Sequence, residues 1–97
     1  MIDVQLTLNQ KGHGSFFVAD ANGEKIAEMV ISVSGDQLTV YHTEVSPNAQ
    51  GKGLAGELLK TMVAYARAHQ LKVIPLCPYV HAQFKRHPAL YNDIWKQ

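Results

Sequence analysis

Between Val45 and Leu59 the apolar period of this chain changes from two to 3.6, and the change falls across a loop in which two glycines flank a lysine, Gly51-Lys52-Gly53. Upstream the apolar residues alternate as they do in strands; downstream they recur as they do on one face of a helix. A strand that runs through such a loop into a helix leaves N–H groups at the helix N-terminus without intrahelical partners. Glycine lets the backbone turn sharply there and approach a ligand without interference from a Cβ. Such a place suits phosphate. The plain alternative is a glycine-rich turn that merely starts a helix, and the surrounding elements have to decide between the two.

Upstream, Ile2, Val4, Leu6 and Leu8 alternate with Asp3, Gln5 and Thr7, which predicts a first strand with one buried face. Ser15 to Ala19 reads as a second strand, closed by the turn residues Asp20-Ala21-Asn22-Gly23. From Lys25 to Ser34, Ala27, Met29, Ile31 and Val33 share a face, giving a third. After Ser34-Gly35-Asp36, the segment Gln37 to Val45 is a fourth, rich in β-branched and aromatic residues. The first half is therefore expected to be an antiparallel meander.

Downstream, Leu54, Ala55, Leu58, Leu59, Met62, Val63 and Ala66 form the apolar stripe of a helix ending near His69. Leu71 to Leu76 is a short apolar run expected to be a buried strand. Strand, helix, strand implies a parallel pair with a right-handed crossover. Pro75 has no N–H to give, so the pairing should stop near it. Pro78 suits the first position of a helix, with Cys77 as its N-cap and Tyr79 to Arg86 as its body. His87-Pro88 closes that helix, because a residue before proline is pushed out of the α region. In the tail, Leu90, Tyr91, Ile94 and Trp95 fall at helical spacing, which predicts a short turn packed onto the rest.

A length of 97 residues reads as one small domain spanning 1–97, able to bury about 60 to 65% of the surface of its unfolded chain. The composition, 46% hydrophobic and 18% charged, is that of a globular protein, and a net charge of +1 gives no electrostatic case for nucleic acid or an anionic membrane. One cysteine excludes an internal disulfide and fits a reducing compartment. No stretch approaches the roughly 18 apolar residues of a membrane-spanning helix. The expectation is a cytoplasmic protein, as a monomer or weak homodimer. Neither G-x-G-x-x-G nor G-x-x-x-x-G-K-[ST] is present, since Gly56 is followed by Glu57.

With those elements in order, Gln50-Gly51-Lys52-Gly53-Leu54-Ala55 resembles the Q/R-x-x-G-x-G/A signature of the GNAT superfamily of N-acetyltransferases, Ala55 taking the last position. Three further phrases, HTEV (His42 to Val45), PLCPYV (Pro75 to Val80) and RHP (Arg86 to Pro88), resemble the short single-domain branch of that superfamily. The resemblance covers roughly residues 14 to 90. It implies an α/β (α+β) fold: a mixed sheet with an antiparallel N-terminal meander, a β-loop-α-β core that binds acetyl-coenzyme A, and a short C-terminal helix. It implies that loop amides hold the pyrophosphate and that the strands on either side of the helix splay to admit the cofactor. The cofactor-binding residues expected from it are Val45, Gln50, Gly51, Lys52, Gly53, Leu54 and Ala55. The branch lacks the two N-terminal helices that wall the amine site in larger relatives. Many of those relatives also carry a tyrosine late in the last helix, where it can protonate the departing thiolate; Ala82-Gln83-Phe84-Lys85 has none.

Four residues are candidates for the chemistry. Cys77, at a helix N-terminus, sits where the dipole and unpaired N–H groups favour a thiolate, so it reads either as a nucleophile that accepts an acetyl group or as a buried hydrophobe. His42 and Glu44 share a face of the strand before the loop and read either as bases for an attacking ammonium group or as an ordinary polar strand end. Tyr79 reads either as a replacement general acid or as a packing residue. His13, His69, His81 and His87 have no metal-binding spacing and one cysteine to join them, so no metal site is expected. Two functions follow: transfer of an acetyl group from acetyl-coenzyme A to a small amine or a protein lysine, or a coenzyme A-binding module that works through a protein partner.

Overall fold

The computed structural model describes residues 2–97. Its frame is a five-stranded mixed sheet in the sequential order β1 to β5, with β1 Gln5–Leu8, β2 His13–Ala19, β3 Lys25–Ser34, β4 Gln37–Val45 and β5 Lys72–Pro75. The first four strands are antiparallel and β5 lies parallel to β4. Helix α1, Leu54–Ala68, connects those two strands as the switch in apolar period predicts. It packs against β2, β3 and β4. Leu58, Met62 and Ala66 have no exposed surface, and they meet Met29, Leu38, Val40 and Val73 of the sheet, which have none either.

The first strand departs from expectation. Its pairing begins at Gln5 rather than Ile2, and Ile2 and Leu6 are exposed despite their alternation. Leu6 pairs with Phe16, so it points to the helix side of the sheet, but β1 lies beyond the packing footprint of α1. Alternation marks a face; a neighbouring element has to bury it.

Two features part β4 from β5. Ladder partners run from Gln37 opposite Lys72 to Val40 opposite Pro75 and stop there. On the other side of β4, Val30 pairs with His42 and Ile31 with Val40, so Tyr41 is an extra residue, a β-bulge. A bulge bends its strand and sharpens the local twist. Opposite the bend, an N–H at position 75 would face the tail as that of Val73 does, and the next donor due to β4, Leu76 N–H, turns back to the Ile74 carbonyl at 3.1 Å. One last bond, from Cys77 N–H to the Val40 carbonyl at 2.9 Å, precedes the turn into α2, Pro78–Arg86.

The C-terminal segment does more than pack a turn. Helix α3, Pro88–Tyr91, is followed by a bridge between Trp95 and Val73, with Val73 N–H donating to the Ile94 carbonyl and Lys96 N–H to the Val73 carbonyl. The tail thus lines the outer side of β5. Phe84 of α2 stacks on Tyr91 at 4.7 Å between centroids and meets Trp95 edge-on, tying both short helices to it.

Candidate active site

The loop between β4 and α1 begins with a single 3₁₀ turn at Pro47–Ala49 and then passes through Gly51 and Gly53, both with positive φ (83° and 73°). A side chain is strained in that region, although a Cβ on either glycine would meet only open space. Gly53 is the N-cap of α1, and no side chain caps the helix. The first bond of α1 runs from Glu57 N–H to the Gly53 carbonyl at 3.1 Å. Among the described residues, nothing accepts the N–H groups of Gly51, Lys52, Gly53, Leu54, Ala55 and Gly56. Unpaired donors at the positive end of a four-turn helix fit an anion.

These donors open onto a cavity of about 310 Å3 lined by Val45, Ala49, Gln50, Gly51, Gly53, Leu54, Ala55, Gly56 and Tyr79. Six of the seven residues expected to bind the cofactor therefore share one cavity; Lys52 is exposed and does not line it. Larger crevices run along the rest of α1, toward its C-terminus and α3. The smaller cavity carries the loop donors and Val45, the last residue of the unpaired half of β4, so its position outweighs its size. Tyr79 reaches it from the first turn of α2. Burial, and next the neighbouring Tyr91 and Cys77, push its hydroxyl above the ordinary value of 10.0, so it stays a proton donor through neutral pH.

Cys77 is 2% exposed, and its Sγ lies 3.3 Å from the Thr43 hydroxyl. That contact spans the head of the split, from the unpaired half of β4 to the N-cap of α2. Thr43 was not among the sequence candidates. Its register opposite Met29 puts it on the α1 side of the sheet, whereas His42, opposite Val30, faces the other side. Only the turn at Leu76 brings the threonine and the cysteine together.

His42 and Glu44 do share a face, with His42 Nε2 3.4 Å from Glu44 Oε2, both largely exposed. They do not line the loop cavity and stand apart from Cys77 across the sheet. Their neighbour Glu28, directly opposite Glu44, accepts hydrogen bonds from the buried Ser15 hydroxyl at 2.7 Å and from Lys25 Nζ at 2.8 Å. Lys25 first, then Ser15, hold the Glu28 carboxyl below its usual value against the effect of burial, with His42 adding to the same side. The sheet face away from α1 thus carries two carboxylates and an imidazole, of which Glu28 escaped notice because its partners come from two other positions in the meander.

A sequence model of the GCN5-related N-acetyltransferase family matches residues 15–94, which contain the loop, both divided strands and the Thr43–Cys77 contact. The chain belongs to the GCN5-related N-acetyltransferases. Members of this family use acetyl-coenzyme A, and the loop with its six unpaired N–H groups fits that cofactor's pyrophosphate. Among solved structures, a GCN5-like protein from Staphylococcus aureus is 25% identical, with a TM-score of 0.69 over 95% of this chain and 87% of that one. A ribosomal-protein-alanine N-acetyltransferase from Brucella melitensis biovar Abortus 2308 is 14% identical, with a TM-score of 0.67 over 100% of this chain and 92% of that one. The ribosomal-protein-S18-alanine N-acetyltransferase from Escherichia coli is 19% identical, with a TM-score of 0.64 over 84% of this chain and 54% of that one. At such identities the last two share the fold. A search of curated protein sequences returns no match. Among the described residues no group of three metal-ligating side chains comes together, and no helix is long and apolar enough to cross a membrane.

Proposed function

We propose that this acetyltransferase moves an acetyl group from acetyl-coenzyme A to a primary amine, that of a small molecule or an exposed lysine. The observation that carries the reading is a cavity where unpaired donors at the start of α1 meet Val45, the end of a β4 edge left free beyond Val40. When bound, the cofactor supplies an acyl carbon activated as a thioester. The N–H groups of Gly51, Gly53, Leu54 and Ala55 receive its pyrophosphate, with Gln50 and Lys52 flanking them. The free edge from Tyr41 to Val45 presents N–H and C=O groups to a ligand arm that carries amides, and one such N–H is suited to a developing oxyanion.

His42 or Glu44 takes the proton from the incoming ammonium group, directly or through water, leaving a neutral amine to attack. Tyr79, held protonated, donates to the departing sulfur. In a sharper form, Cys77 attacks first: its sulfur bonds to the acyl carbon, the carbon–sulfur bond to coenzyme A breaks, and the thiol proton passes to the leaving thiolate. The amine then attacks acetyl-Cys77, loses its proton, and the thiol is restored. The short contact to Thr43 orients Cys77 for that step.

The test is a calorimetric titration with acetyl-coenzyme A and coenzyme A of the wild type and Gly53→Glu, followed by intact mass. Saturable binding lost in the variant supports the loop. A gain of one acetyl group, labile to hydroxylamine and absent in Cys77→Ala, supports the covalent form. Binding without turnover across a broad panel of amines would sink the transfer reading.

A further inference from the structure

Of the open edges of the sheet, those at β4 and β5 are protected. The tail bridges the outer side of β5, and the bulge at Tyr41 with its charged neighbours guards the free half of β4. The outer edge of β1 has neither. Gln5–Leu8 holds no charge and no proline, and its ladder to β2 runs from Gln5 opposite Phe17 to Leu8 opposite Gly14 without a shift in register. Just past it, Asn9 N–H donates to the His13 carbonyl at 2.8 Å. Bonding alternates along an antiparallel pair, so Thr7 and Gln5 also turn their backbone groups to β2, while Leu6 and Leu8, and Val4 before them, turn theirs outward. Leu6 is 37% exposed on the helix side of the sheet, beyond the footprint of α1.

We infer that this edge pairs with the same edge of a second copy of the chain, the two β1 strands running antiparallel about a two-fold axis at Leu6. Such a pairing needs a strand that matches itself. With Leu6 opposite Leu6 of the second copy, Val4 falls opposite Leu8 and Leu8 opposite Val4, so the outward N–H and C=O groups of all three find partners. The other face matches as well. Gln5 falls opposite Thr7, and Asp3 opposite Asn9, whose side-chain oxygen already accepts from the N–H groups of Lys11 and His13 at 2.8 and 3.1 Å. Its amide nitrogen is the group left to donate to a carboxylate. Lys11 follows two residues on, and both it and Asp3 are exposed, so each end of the pairing sets an anion beside a cation. Sliding the register by two residues one way puts Val4 against Gln10; sliding it the other way moves Asp3 from Asn9 to Thr7. An axis perpendicular to the sheet keeps both α1 helices on one side, with Leu6 of each copy on the floor of the trough between them. About five residues a side, against roughly 20–30 in a standard interface, make the dimer weak and dependent on concentration. It forms at the end of the sheet away from the gap between β4 and β5 and leaves that gap open.

The inference is tested by sedimentation equilibrium and residue-resolved amide exchange on the wild type and Leu6→Lys, from about 10 μM to about 1 mM, the range of a weak interface. The wild type's average mass is expected to rise toward that of a dimer. Exchange at Leu6 and Leu8 should slow at least about threefold over the same range, while Gln5 and Thr7, already bonded to β2, keep their rates. Leu6→Lys sets two ammonium groups against each other on the axis and should stay monomeric throughout. Register is read by cross-linking: Gln5→Cys mixed with Thr7→Cys should form a disulfide dimer faster than either protein alone, because position 5 faces position 7. A wild type that remains monomeric at the highest concentration overturns the inference. So does a dimer in which exchange at Leu6 and Leu8 is unchanged, or one that Leu6→Lys forms as readily. Faster cross-linking of Gln5→Cys with itself than with Thr7→Cys overturns the register.

Discussion

The two halves of β4 are one strand with two environments. From Gln37 to Val40 it is paired to β3 on one side and β5 on the other, and Leu38 and Val40 are fully buried beneath α1. From Tyr41 to Val45 it keeps β3 and loses β5, and Tyr41, His42 and Glu44 are exposed. The first half stabilises the fold through apolar burial. The second gives up a ladder, and a strand with a free edge is a site for unwanted pairing unless something protects it. Here the bulge at Tyr41 twists the edge away and charged side chains flank it. A free backbone edge ending at a loop of unpaired N–H groups is the arrangement that a ligand with amides and phosphates can complete, so the difference between the halves divides stability from binding.

The sharpest way to break that division is in the buried half. Leu38→Ala is expected to cost about 2–5 kcal/mol, through lost transfer energy and a residual cavity, read as a lower urea midpoint. Coenzyme A affinity, measured where the variant is still folded, should change less than twofold. A large loss of affinity in the folded protein would show that the halves are coupled.

The converse change is in the loop. Gly53→Val puts a β-branched residue at φ 73°, which costs about 1–3 kcal/mol of local strain. The backbone relieves part of it by moving the loop, so the aim of the N–H groups is lost. Calorimetry should show coenzyme A affinity down at least tenfold while the urea midpoint falls less than in Leu38→Ala. Affinity equal to wild type would separate the loop from cofactor binding.

How far this arrangement is legible in the sequence depends on whether its cause is local. Alternation in Lys25–Ser34 and Gln37–Val45, the 3.6 period after Gly53 and the stop at Pro75 are local, and the structure follows them. The bulge at Tyr41 is a mismatch of count between two strands, and no property of Tyr41 announces it. The Thr43–Cys77 contact crosses 34 positions and needs both the split and the turn at Leu76. Ile2 and Leu6 mislead for the same reason in reverse: their pattern is local, but the element that would bury them lies elsewhere. The loop was readable because a helix N-terminus preceded by αL glycines exposes its donors whatever the rest of the chain does.

A smaller effect distinguishes the two causes of the split. Pro75→Ala frees the fixed φ just before Leu76, whose N–H is the next donor due to β4, while the N–H it restores faces the tail as that of Val73 does. If proline alone holds the strands apart, pairing should extend and slow amide exchange from Tyr41 to Val45. The bulge predicts otherwise: with the strand already bent at Tyr41, exchange in that segment should stay within about twofold of wild type, and stability should change by about 0.5–1 kcal/mol at most. Strong new protection at Thr43 would make Pro75 the sole cause.

The smallest effect concerns what holds the paired half shut from outside. Arg67 of α1 donates to Asp93 at 2.8 Å, just before the tail bridges β5 at Trp95. Arg67, through its hydrogen bond first, holds the Asp93 carboxyl below its ordinary value of 3.8. A carboxyl with a depressed folded-state value contributes stability that is present above its unfolded value and lost as pH falls through the folded one. Both partners are about half exposed, so solvent screens the pair and Asp93→Asn should cost only about 0.2–1 kcal/mol at neutral pH. The gap between wild type and Asp93→Asn in urea midpoint should narrow as pH drops below 3.8 and close once Asp93 is protonated in the folded protein. It should shrink with added salt as well. Coenzyme A affinity at neutral pH should not move, because the pair acts on the side of β5 away from the split; a drop in affinity would mean that the tail, too, sets the width of the gap.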